Sequence, residues 1–516
     1  MIMNDIEVSE QLIKRTIELV ETCSIVQSVH EKNIADRIFS ILSDFVYFKK
    51  YPQYLQVCPV KDDPFGRYSV IALLKNPDVS DTVLGIGHFD TVPTEDYGPL
   101  KPLAHQPNLL KNALKDFIRD PEILRDLDDE NFLFGRGSLD MKSGIAIWLT
   151  LLEHLSKNPK GKNLMVVFVC DEEGDSKGMI DALPVIRQMS SEFDLNIESA
   201  IDTDYTSPQY PKDNRRFIYG GTIGKILVQF LCIGKEAHAS DPYAGIDANQ
   251  LVSALIEEIN LNPEYCDRCG DDVAVAPITL SIKDDKTGYS VQTAKMASVS
   301  FNVTIIGQTV DQWQQKLLLA AQKAQQKVID RLNESYSVYC TEKGFPLETL
   351  PWQADVRSFH DDGQTHLTIS PNEDEREFSL RWVKEQAQYD PAPRIILFLS
   401  MPYYPNQKID LTNPRHREFI GAIRQCAPGY TYCNNYPYIS DLSFVSRPKT
   451  EDIESLKRLI PGYDQLQRID WSVLDFLDIP MINLGPWGKD AHKLTERVHI
   501  PSIISVYQIL TEYLNS

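Results

Sequence analysis

Histidines and carboxylates stand where several apolar runs of this chain end. TVLGIGH closes on His88, with Asp90 two residues later in GHFDTVP. NLMVVFVC runs into Asp171, Glu172 and Glu173, and SAIDTDYT carries Asp202 and Asp204. Alternation along a strand points residues two apart to the same side, so Asp90 is placed to orient the His88 imidazole, as carboxylates do behind metal-bound histidines. Three adjacent carboxylates are costly unless cations or raised pKa values relieve them. One of them can hold a metal while its neighbour takes a proton from water and returns it to a leaving amine. GRGSLDMKSG adds Asp140 just before a helix. Its glycines permit a tight turn and close approach to an ion, although an N-cap uses the same residue type. WGKDAHKLTERVHI offers His492 and His499, one of which completes an imidazole and carboxylate set suited to zinc. Between Asp202 and Asp204 the spacing makes no choice.

These groups need a frame. Helical periodicity over about 8–23 and 30–46 is followed by short β-rich runs at YSVIALLK and TVLGIGH. A helix at SGIAIWLTLLEHLSK and a buried strand at NLMVVFVC continue the alternation, which favours an α/β domain. In open sheets of that kind ligands gather beyond the carboxyl ends of the strands, where His88 and the acidic clusters fall. From about residue 220 the order becomes strand, helix, strand, strand and long helix, a separate α+β module. Residues 341–390 are polar, carry PNEDERE and read as an insertion. The tail returns to the first pattern. The predicted organisation is a catalytic domain of 1–212 and 411–516, interrupted by an inserted lid and dimerisation domain of 213–410.

Acidic residues exceed basic ones by 21 charges, which argues against nucleic acid and anionic membranes as partners. Nine cysteines, an odd and dispersed set, read as reduced thiols. The N-terminus reads as an amphipathic helix without a signal-peptide core, and no apolar run is long enough to span a membrane. Together these predict a cytoplasmic protein. The pair CDRC, Cys266 and Cys269, lacks the further ligands of a zinc site and reads as a surface loop.

The segments GHFDTVPTEDYGPLKP, FGRGSLDMKSGIA, DTDYTSPQYP and SMPYYPNQKID resemble, in order, the zinc hydrolase family of aminoacylases, acetylornithine deacetylase, succinyl-diaminopimelate desuccinylase and glutamate carboxypeptidases. The likeness is greatest to a branch associated with arginine utilisation. It implies a zinc-peptidase catalytic domain with a mixed sheet flanked by helices, and an α+β lid. It also implies two zinc ions, with cobalt or manganese as substitutes. His88 and Asp204 would hold one ion, Glu173 and His492 the other, and Asp140 both. Glu172 becomes the general base, a cis peptide follows Asp140, and His238 in GKEAHASDPYAGIDAN stabilises the oxyanion, in many relatives from across a dimer. The implied substrate is a small N-acyl amino acid or short peptide. The chain departs from the family in the lid, where FNVTI replaces an Asp-x-Arg pattern. An inactive metal-binding regulatory or scaffold protein on the same fold is the alternative, and Glu172 argues against it.

Overall fold

The computed structural model describes residues 5–516 apart from 362, 364, 371, 372 and 389, so the first two residues of PNEDERE lie outside the described set. The chain divides into two compact units. The first comprises Met1–Thr222, Gln407–Arg447 and Ile469–Ser516, and the second Ile223–Asn406 and Pro448–Arg468. Pro448–Arg468 therefore belongs with the second unit rather than with the tail of the first.

The first unit is built on an eight-stranded mixed sheet. Its order is Leu55–Pro59, Tyr68–Leu74, Asn163–Val169, Asp81–His88, Asn196–Asp202, Met481–Asn483, Phe217–Tyr219 and Thr431–Cys433. The four central strands, from Asn163–Val169 to Met481–Asn483, run parallel. They are almost continuously apolar and buried, as strands covered on both faces must be. His88 is level with Val169, and Ile86 with Asp202, so the chemistry-bearing ends share one edge of the sheet.

Helix Lys142–Ser156 lies against these strands, and small residues let it come close. A Cβ on Gly85 would stand 3.0 Å from the Trp148 ring, whose Nε1 donates to the Ile86 carbonyl at 2.9 Å. On Gly144 it would stand 2.4 Å from the Thr203 carbonyl. The helix start is thus pressed onto the loop that carries Asp204. A separate three-stranded sheet joins Gly488–Lys489, Arg497–His499 and Phe132–Phe134. Its hairpin brings the loop of His492 beside the segment leading to Asp140, with Arg497 opposite Phe134.

The second unit has a five-stranded sheet in the order Ile278–Asp284, Met296–Ile305, Gly224–Ile233, Arg394–Tyr404 and Asp355–Ser358. Helices Ala248–Ile259, Val310–Lys343 and Glu375–Ala387 pack on it. The stretch expected to be an insertion, 341–390, supplies an edge strand and one of these helices. Among the described residues no helix is long and apolar enough to cross a membrane.

Candidate metal centre

Asp140 sits at the focus of the strand ends. Its Oδ1 lies 2.9 Å from His88 Nε2 and its Oδ2 2.9 Å from His492 Nε2. His492 Nε2 also lies 2.8 Å from Glu173 Oε1. A ring nitrogen has one proton to give, yet two carboxylates converge on this one. Two overlapping groups of possible ligands result: His88, Asp140 and Asp204, and Asp140, Glu173 and His492. The peptide Asp140–Met141 is cis, as the family resemblance implies. His492 itself adopts φ +64°, a left-handed conformation uncommon for a residue other than glycine.

The candidates that the spacing left open differ in their surroundings. Asp202 spends one oxygen on the Asp204 amide at 3.1 Å and the other on the Ser440 hydroxyl at 2.6 Å. Asp204 commits only Oδ1, to the Tyr205 amide, and joins the His88 group. His499 stands away from both groups, its ring between Phe132 and Trp487 with centroids 5.2 and 5.8 Å away. Asp90 differs from the expectation. Its carboxylate is 3.7 Å from His88 Nδ1, too long for a hydrogen bond, and its backbone carbonyl is nearer at 3.2 Å. The two carboxylate oxygens instead accept the Glu172 and Glu173 amides at 3.2 and 3.0 Å. Asp90 therefore shapes the acidic turn as well as flanking the imidazole.

Glu172 is nearly buried, with Oε2 3.9 Å from His88 Nε2. Burial raises its pKa well above the usual range; His88 opposes this, and Glu173, Asp441 and Asp204 add to it. Burial also raises Glu173 and Asp204, with Asp140 the next cause for each. Burial alone would lower the His492 pKa, but hydrogen bonds to Asp140 and Glu173 raise it to about 12. For His88 burial is likewise outweighed, here by Glu172, Asp140 and Asp90. Burial would raise Asp140 too, and its bonds to the two histidines hold it well below the usual carboxylate range. Such crowding of acids around two imidazoles is the donor set that divalent cations relieve.

Two residues absent from the sequence reading support Asp140. Buried Glu496 accepts the Leu139 and Asp140 amides on Oε1 at 3.1 and 3.2 Å, and the Arg136 guanidinium on Oε2 at 2.8 Å. Their motifs, GRG and LTER, flank the chosen ligands, so nearness to Asp140 and His492 was the available signal. His238 belongs to the second unit, is exposed, and accepts the Ser240 amide on Nδ1 at 3.1 Å.

Residues 86–341 match the model of peptidase family M20/M25/M40. YqjN of Bacillus subtilis is 30% identical, the alignment covering 98% of this chain and 96% of YqjN. RocB of the same organism is also 30% identical, over 98% of this chain and 94% of its own length. The fold resembles aminopeptidase PepT of Bacillus cereus with a TM-score of 0.54 at 13% identity, covering 98% of each chain. With its strand-end histidines and carboxylates gathered in this way, the chain belongs to peptidase family M20/M25/M40, the metal-dependent peptidases and amidohydrolases.

Proposed function

We propose that this protein is a dinuclear zinc hydrolase that cleaves the amide bond of a small N-acyl amino acid or short peptide. The reading is carried by one observation: the two oxygens of Asp140 are divided between His88 and His492, each at 2.9 Å. His88 and Asp204 would hold one cation, Glu173 and His492 the other, and Asp140 both. Zinc, or cobalt or manganese in its place, would supply Lewis acidity toward the carbonyl and make water more acidic. Glu172 takes the proton from the attacking water and returns it to the leaving nitrogen, a role that its burial and raised basicity suit. Asp90 holds the Glu172 and Glu173 amides and so keeps base and ligand in register. His238 is assigned the oxyanion, serving the other copy in a homodimer. Arginine catabolism, from the sequence resemblance, is the metabolic setting we assign. A cytoplasmic location accords with an odd and dispersed set of nine cysteines.

The test is a panel of N-acyl amino acids and dipeptides assayed with zinc, cobalt or manganese, beside Glu172→Ala. We expect turnover of at least one class by the wild type and its loss in the variant with both cations retained. Full activity in a metal-loaded Glu172→Ala protein would overturn the role of Glu172. Two bound cations without turnover of any member would favour the scaffold reading instead.

A further inference from the structure

Against the first residue of the acidic turn lies a buried ionic cluster that the proposed reaction does not use. Arg67, at the start of the Tyr68–Leu74 strand, is 3% exposed. Its NH1 donates to Glu31 Oε2 at 2.9 Å and to Asp171 Oδ1 at 2.6 Å, and its Nε and NH2 both donate to Asp63 Oδ1, at 2.9 and 2.7 Å. Glu31 and Asp171 are fully buried. Glu31 is also the third helical residue of a capping box with Ser28. A capping glutamate needs no burial for that task, and this one turns its second oxygen to the Asp171 amide at 2.8 Å.

The consequence is a sequence of three clamped amides. Asp171, Glu172 and Glu173 give their backbone N–H groups to Glu31 Oε1, Asp90 Oδ1 and Asp90 Oδ2 in turn. The turn they form is tight: Asp171 has φ +65°, its carbonyl accepts the Gly174 and Ser176 amides, and its Oδ2 accepts the Lys177 amide at 3.2 Å. Asp90 clamps the turn from the His88 side. Glu31 holds its first residue by the backbone N–H, and Arg67 by the side chain.

We propose that Arg67 and Glu31 are positioning residues, which fix the Asp171 corner and thereby aim Glu172 and Glu173. Arginine is required because three carboxylates are met from one planar fork, which a lysine ammonium cannot span. The cost of burying the cluster is high, and a rigid pair of functional carboxylates is what it secures. The inference rests on the metal-hydrolase reading for the purpose of the turn, though not for its rigidity.

The experiment compares wild type, Arg67→Lys and Glu31→Gln as full-length protein. Arg67→Lys keeps the buried charge but loses the planar fork, and Glu31→Gln keeps the side-chain size but loses the charge that meets Arg67 and strengthens the bond to the Asp171 amide, so either serves if the other fails to fold. Hydrogen exchange is followed in the cation-free protein, and cobalt affinity by competition with a chromophoric chelator. We expect the amides of 171–173 to exchange about 10-fold faster in the variants, with the Gly224–Ile233 strand unchanged. Cobalt affinity of the weaker site should fall about 10-fold or more. Variants that melt earlier yet exchange normally at 171–173 and bind cobalt as tightly as wild type would overturn the proposal. A wild type that binds no cobalt would sink the hydrolase reading, while the exchange data would still decide whether Arg67 and Glu31 hold the turn.

Discussion

At the scale of single residues the centre depends on how protons and cations share the same atoms. Surrounding carboxylates push the pKa of both His88 and His492 up in the cation-free chain, that of His492 to about 12. A cation needs the neutral ring, so binding must expel protons and affinity must weaken as pH falls. Titration calorimetry of zinc at pH 7.5 in buffers of different ionisation enthalpy should show a net release of protons. Release of none would mean that the rings are neutral beforehand. Replacing Asp140 with Asn leaves one neutral oxygen and an NH2 group where two imidazoles shared a carboxylate, and metal analysis should find both cations lost or sharply weakened. Glu172→Gln should keep the cations and lose about 10²–10⁴-fold in turnover. His238→Ala should lower turnover by about 10²-fold with cation content unchanged; equal loss of both would remove the oxyanion assignment.

Among the elements, the Lys142–Ser156 helix has little freedom where it begins. Its Gly144 lies where a Cβ would meet the Thr203 carbonyl at 2.4 Å, and backbone cannot give way as a side-chain tip can. Gly144→Ala should therefore cost about 1–3 kcal/mol in denaturant unfolding and weaken the site of Asp204, which follows Thr203. Much at this scale was legible. The buried central strands show as apolar runs that end in His88, Asp171 and Asp202, and the strand boundaries in the sequence follow from them. What periodicity could not express is contact between residues far apart in the chain. The partners of Arg67 include Asp171, 104 positions away, and those of Glu496 include Asp140, 356 away. Either Asp202 or Asp204 satisfies the spacing, and the Ser440 hydroxyl that engages Asp202 comes from 238 positions away. The edge strand Asp355–Ser358 was hidden because it is short and polar, and its pairing with Arg394–Tyr404 is tertiary.

For the whole molecule, the first unit is assembled from three separated segments, with the second unit formed by the intervening chain. Its central sheet includes Met481–Asn483, and its core includes Ile503, Val506 and Leu510 of the final helix. A chain stopped after Arg468 lacks these, so it should fail to give a cooperative thermal transition for the first unit, by circular dichroism, rather than merely losing His492. Pairings of such long sequence separation are slow to form.

The hairpin that presents His492 has a consequence for biosynthesis. On the proposed ligand assignment, a growing polypeptide acquires His88, Asp140 and Asp204 early, and must then translate the whole stretch up to the 488–499 hairpin before the last imidazole arrives. The ligand residues of one position are made long before His492, yet the strand and the Glu496 carboxylate that steady them come from the same late segment. On that assignment neither position is ready for a cation until synthesis of the chain is almost finished.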